Sequence, residues 1–251
     1  MSVPCRDLYL DLMKKVLSNT IYEDPPIPAP WAPETAYDSL NRRLGVDWPS
    51  TAHTMIGVLR LDNIQHCVER VLADGIPGDL IETGVWRGGA CIFMRAVLRA
   101  HGVRDRQVWV ADSFQGMPVP DHSSHHADRD LATHLHNDAI AVGLHTVRGN
   151  FERYDLLDDQ VRFLPGWFHE TLPEAPIERL AVLRLDSDLY DSTLHTLETL
   201  YPKLSPGGFV IVDDYHIPVC REAVHDWRLR HGVRDAIEDI DGLGAFWRRT
   251  S

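Results

Sequence analysis

Apolar residues along this chain keep two spacings, and the switch between them predicts the architecture. Residues 6–22 repeat every three or four positions, with Leu8, Leu10, Leu12, Met13, Val16 and Leu17, as an amphipathic helix does. Residues 54–73 return to that spacing with Met55, Leu59, Ile64, Val68, Val71 and Leu72, and Gly75-Ile-Pro-Gly78 ends the helix. Between them, 24–50 carries Pro25, Pro26, Pro28, Pro30, Pro33 and Pro49, which exclude a long helix. This stretch reads as an extended arm or lid with a short helix near 34–43. Trp31, Tyr37 and Trp48 give it apolar surface to bury.

From residue 79 onward, short apolar runs alternate with helical spacing. Runs at 79–83, 107–111, 161–164, 180–185 and 209–212 read as buried strands, and 89–101, 191–201 and 221–231 as helices. Two short runs, 237–240 and 245–248, flank Asp241-Gly-Leu-Gly244 and read as a hairpin. The pattern predicts an α/β fold: a doubly wound, Rossmann-like sheet closed by a C-terminal antiparallel hairpin, with an N-terminal helical arm. Residues 1–75 are expected to form the helical arm and lid, and 76–251 the ligand-binding domain. Residues 120–145 are polar and hold His122, His125, His126, His134, His136 and His145. Their spacing fits no fixed zinc pattern, so they read as a solvated, mobile loop over the site.

Charge and cysteine usage narrow the classes. A formal net charge of −12 opposes a nucleic-acid partner, whose phosphates it would repel. No apolar run is long enough to cross a bilayer and the start lacks a signal-peptide core, so no membrane partner and a cytoplasmic location are expected. Cys5, Cys67, Cys91 and Cys220 form no Cys-x-x-Cys pair and are expected to be reduced and mostly buried. The apolar N-terminal helix predicts a homo-oligomer.

The candidate chemistry lies at strand ends. Arg184-Leu-Asp186-Ser-Asp188-Leu-Tyr190 follows one apolar run, and Val212-Asp213-Asp214-Tyr215 follows the next. The helix-like segment between them makes one strand–helix–strand unit, so both acid groups fall at the same carboxyl edge, where open α/β sheets bind ligands. Asp186, Asp213 and Asp214 can supply hard oxygen ligands to a cation such as Mg²⁺. Asp188 follows as a candidate general base, with Asp186 able to combine both roles and His53 or His216 as other candidates. Earlier, Glu82-Thr-Gly84-Val-Trp86-Arg-Gly88-Gly runs from a strand into a helix. It is not the dinucleotide fingerprint, and the acid before its first glycine would repel a diphosphate but accept a cationic ligand. Asp112, after the second strand, is placed to accept hydrogen bonds from a ribose. After the third strand, Gly166 and Trp167 stand where an adenine face would lie, with Phe168 equally suited to the core.

These segments resemble class I S-adenosylmethionine-dependent methyltransferases. They are most similar to the macrocin-type sugar O-methyltransferases of antibiotic biosynthesis, which act on macrolide and aminocoumarin sugars. The resemblance is carried by His53-Thr-Met-Ile-Gly57, by 82–93, by Ala111-Asp-Ser-Phe-Gln-Gly116, by 154–168, by Leu204-Ser-Pro-Gly-Gly-Phe-Val-Ile-Val-Asp-Asp-Tyr215, by 220–225 and by Phe246-Trp-Arg-Arg249. It implies S-adenosylmethionine held by Met55, Glu82, Thr83, Gly84, Trp86, Gly88, Asp112, Ser113, Gly166, Trp167 and Asp186. It also implies a glycosylated small-molecule acceptor.

Two other readings compete. Asp186-Ser-Asp188 is also an Asp-x-Asp, as in metal-dependent glycosyltransferases, but the Glu82 loop leaves nothing basic for a sugar diphosphate. A non-catalytic binding protein on the same fold has no evident need of so many unpaired acids.

Overall fold

The computed structural model describes residues 4–29, 33 and 35–250. Its centre is a seven-stranded sheet in the order β3-β2-β1-β4-β5-β7-β6. The strands are β1 (Asp79–Thr83), β2 (Val108–Asp112), β3 (Val161–Pro165), β4 (Leu180–Leu185), β5 (Leu204–Val212), β6 (Glu238–Asp239) and β7 (Ala245–Arg248). The first five pair in parallel, and β7 joins β5 and β6 antiparallel, which is the hairpin-edged sheet the periodicity predicts. Every residue of β4 is buried, because helices cover both faces of a parallel sheet.

On one face lie α1 (Cys5–Leu17), α3 (Gly57–Ala73) and α4 (Gly89–Ala100). Their Leu10, Leu17, Ile64, Val68 and Phe93 pack over Leu80, Val108 and Val182. On the other face lie α8 (Phe168–Glu174), α9 (Tyr190–Leu200) and α10 (Pro218–His231), whose Leu172, Leu197 and Trp227 pack over Ile81, Leu183 and Val210. The first helix stops at Leu17, short of the expected residue 22, where Asn19 takes φ 53° and the chain turns. Cys67, Cys91 and Cys220 are buried and Cys5 is exposed.

The arm is extended as expected, with α2 (Ser39–Leu44) as its short helix. Its anchor is a buried ion network. The Arg42 guanidinium, 1% exposed, donates to Asp24 Oδ1 at 2.6 Å, to Asp47 Oδ2 at 2.9 Å, and to the carbonyls of Ser18 and Asp24. Trp31 lies outside the described residues.

The stretch 120–145 is not a plain loop. It forms α5 (His126–Leu131), a 3₁₀ turn at Thr133–His136, α6 (Asn137–Ile140) and the start of α7 (Leu144–Arg153). Helices of four to six residues are too short to show a helical period, and their polar residues conceal them. The expected helices also leave out α7, whose ten residues bury only Val147, Asn150 and Phe151, and α8, seven residues with Pro173 inside.

Candidate active site

The sheet register brings the acids together. Thr83 is paired with Leu185, and Leu185 with Val212, so Gly84, Asp186 and Asp213 leave three adjacent strands side by side. Backbone bonds carry the ladder one step further: Asp186 N–H donates to Thr83 O and Asp213 N–H to Leu185 O, each at 2.9 Å. Gly84 is required there. A Cβ at that position would lie 1.6 Å from the Asp186 carbonyl oxygen, and its φ is +85°.

Arg184 organises the floor of the site. It faces Glu82 across the β1–β4 register. Its Nη1 donates to Glu82 Oε1 and, at 2.8 Å, to Asp186 Oδ2, while Nη2 donates to Asp213 Oδ1. Arg60, from α3, donates to the other oxygen of Asp213 and to Gly45 O at 2.8 Å, and pairs with Asp241 at 3.1 Å. Glu82, Asp186, Asp213 and Asp241 thus gather around Arg60 and Arg184, and Asp188 and Asp214 stand beside Asp186 and Asp213. Negative charge exceeds positive among these groups. Burial first, then repulsion from Asp213, raises the Asp186 carboxyl well above its ordinary value. Burial and Asp188 do the same to Asp214. Burial and Asp186 push Asp188 up to about 7. A cation in this cluster would relieve all three.

The donor set suits a hard metal ion. Carboxylate oxygens of Asp186, Asp213 and Asp214 lie within 4.8 Å of one another. Both Asp213 oxygens already accept from arginines, and each keeps a further lone pair. Asp188 has φ +57°, a left-handed turn that brings its N–H to Asp214 Oδ2 at 3.1 Å.

These groups open onto a cavity of about 1200 Å³. Glu82, Gly84, Trp86, Asp112 and Ser113 line it from the β1 and β2 ends, Met55 from the α3 side and Trp167 from beyond β3. Asp186, Asp188, Asp213 and Asp214 line its other end. Asp112 accepts the N–H groups of Val85 and Phe114, each at 2.7 Å, so it shapes the glycine loop as well as facing the cavity. Thr83, Gly88 and Gly166 do not reach the cavity wall. Thr83 is fully buried with its hydroxyl on Arg184 O, and Gly88 is the left-handed N-cap of α4, packed against Val147. His216 lines the cavity, whereas His53 lies off it with Nδ1 2.7 Å from the Tyr154 hydroxyl.

The roof comes from segments whose contribution sequence reasoning missed in detail. Met117, Pro118, Val119 and Leu131 line the cavity from the 117–143 segment, and Val46 and Trp48 line it from the arm. Roof and arm meet where the Trp48 and His136 rings stand edge to face, 5.9 Å apart. Trp86 Nε1 donates to Ala139 O at 3.1 Å, tying the glycine loop to the roof. Arg60 and Arg184 were missed as well. One signal was available: an arginine inside an otherwise apolar buried strand must find buried acids.

Comparison with known proteins gives the family. Residues 6–249 match the Macrocin-O-methyltransferase (TylF) family. The chain is 64% identical over its whole length to the 8-demethyl-8-(2,3-dimethoxy-alpha-L-rhamnosyl)-tetracenomycin-C 4'-O-methyltransferase of Streptomyces olivaceus, covering 96% of it. It is 57% identical to the mycinamicin III 3''-O-methyltransferase of Micromonospora griseorubida, over 98% of this chain and 97% of that one. Among solved structures, the O-methyltransferase NovP superposes with a TM-score of 0.94 at 56% identity, over 98% of this chain and 100% of that one.

Proposed function

The chain belongs to the macrocin O-methyltransferase family and is an S-adenosylmethionine-dependent O-methyltransferase, and on that premise we propose that it methylates a deoxysugar hydroxyl of a glycosylated natural product with the aid of Mg²⁺. Membership removes the glycosyltransferase and binding-protein readings. The observation that carries the proposal is one cavity, roofed by both apolar and polar side chains of the 117–143 segment, with the glycine loop at one end and the acid cluster at the other. The relatives named for rhamnosyl-tetracenomycin and mycinamicin products support a glycosylated acceptor.

Residues 76–251 hold the methyl donor in this reading, and 1–75 cover the cleft. Asp112 receives the ribose with its remaining lone pairs, Trp167 and Ser113 flank the base, and Glu82 with Gly84 faces the cationic methionine end. Met55 and Trp86 close this half of the cavity. Mg²⁺, held by Asp186, Asp213 and Asp214, would polarise the acceptor hydroxyl and orient its neighbour. Asp188 takes the hydroxyl proton as the acceptor oxygen bonds to the sulfonium methyl carbon and the carbon–sulfur bond breaks, leaving neutral S-adenosylhomocysteine. Arg184 and Arg60 hold the acids in place, and the roof excludes water. Exposed Leu8 and Leu12, one turn apart on α1, support a homo-oligomer, which light scattering would reveal.

The test is incubation with S-adenosylmethionine and a panel of deoxysugar glycosides, read by mass spectrometry. A product heavier by one methylene, located on the sugar by fragmentation, is the expected outcome. Methylation of free catechols with every glycoside left untouched would overturn the acceptor class.

A further inference from the structure

Helix α9 starts directly after the acid turn 186–189 and brings no cap of its own. Leu189 holds the N-cap position and offers no side-chain acceptor. A helix leaves its first N–H groups without intrahelical partners. Two of them are taken by Asp128, a buried residue of α5 in the roof. Tyr190 N–H donates to Asp128 Oδ1 at 2.7 Å, and Asp191 N–H to Oδ2 at 3.0 Å. The attachment is reciprocal. Asp191 Oδ2 accepts the His125 N–H at 2.8 Å, and the His125 ring stacks on Tyr190 with centroids 3.8 Å apart. The Tyr190 hydroxyl then donates to Asp226 on α10 at 2.8 Å.

The turn ahead of this helix carries Asp186 and Asp188. Its upstream end is held by the sheet through Asp186 N–H and Thr83 O. Its downstream end runs into the first turn of α9, which the roof caps. We propose that Asp128 is a positioning residue that couples closure of the 117–143 roof to the placement of Asp188 and Asp186. The proposal rests on the role given above to those two acids. The Asp128 carboxylate also meets the positive end of the helix dipole, which favours the capped, closed arrangement. With the roof lifted, α9 loses its cap and the acid turn loses its downstream anchor. With the roof down, the acids are set at the moment water is excluded from the cleft.

The experiment compares the full chain with Asp128→Ala and Asp128→Asn. Hydrogen exchange of ligand-free protein reads the cap. Calorimetry with S-adenosylhomocysteine reads the far end of the cavity, and kcat and KM with a glycoside that the wild-type enzyme methylates read the acids. In Asp128→Ala, the Tyr190 and Asp191 amides are expected to exchange about tenfold faster, the effect of losing an N-cap. kcat should fall about 10²-fold, as for misplaced catalytic groups, with S-adenosylhomocysteine affinity kept. Asp128→Asn retains one acceptor oxygen and should fall between the two. Unchanged exchange at 190–191, or unchanged kcat per folded enzyme despite faster exchange, would overturn the coupling. So would a loss of S-adenosylhomocysteine affinity in step with kcat, which marks general destabilisation. Wild-type enzyme that methylates no glycoside would sink the proposed function instead, and the exchange data would still decide the cap.

Discussion

At the scale of single residues, the site depends on close approach and on charge. Gly84 admits the Asp186 carbonyl because it has no Cβ. Gly84→Ala is expected to cost at least about 3 kcal/mol, since overpacking and a positive φ act together. Gly102→Ala is the control: its φ is also positive, at +68°, but nothing lies within 4 Å of its Cβ position. Urea unfolding of the two variants should separate them clearly, and equal midpoints would refute the packing argument. Asp188→Asn keeps the shape of the acid turn and removes the proposed base. Turnover should drop about 10²–10⁴-fold while S-adenosylhomocysteine affinity is retained. A loss under about tenfold would move the base role to Asp186 or His216.

Among the elements, the arm shows how a proline-rich stretch with a single short helix is held by buried charge. Arg42 stands between Asp24 and Asp47, all three buried. Arg42→Ala would strand both carboxylates and is expected to cost about 3–5 kcal/mol, as when a buried pair is broken. Asp24 is the more strongly held partner. Burial opposes its charge, but the Thr51 N–H, Arg42 and Asn19 outweigh that and bring it down to about 2. Its pKa is therefore lower folded than unfolded. The stability it contributes is complete above the ordinary carboxylate range and is lost as pH falls toward 2. Asp24→Asn should flatten the fall in unfolding free energy across that acid window, and an unaltered slope there would show that other groups dominate.

Over the whole molecule, two distant parts of the chain close one cleft. The arm and the 117–143 roof touch through Trp48 and His136, both on the cavity wall. Binding of a glycoside is expected to raise hydrogen-exchange protection in both segments together. Protection confined to one of them would mean that they do not act as a single cover. Excess negative charge at the cleft floor leads to a second expectation. EDTA should abolish turnover and Mg²⁺ restore it, since the proposed role of Asp186, Asp213 and Asp214 requires a cation. Full activity after exhaustive chelation would leave the acids with direct base or structural roles.

Much of this was legible in the sequence because it depends on local periodicity and on strand ends. Apolar runs bounded by glycine and proline announce parallel strands, and the carboxyl edge of such a sheet is where Glu82, Asp112, Asp186 and Asp213 had to emerge. One strand–helix–strand unit was enough to predict that Asp186 and Asp213 converge. The tertiary structure decided what depends on partners far apart in the chain. Arg184 reads as an interruption in a strand until the register sets it opposite Glu82. Arg60 reads as one polar residue of an amphipathic helix until α3 packs beside β5. Asp128 sits in a polar, histidine-rich stretch, yet it caps a helix that begins 62 residues later. Periodicity reports which face of an element is buried, whereas the pairing of buried charges is set only when elements meet, because a desolvated ion is stable only beside the partner that folding brings to it.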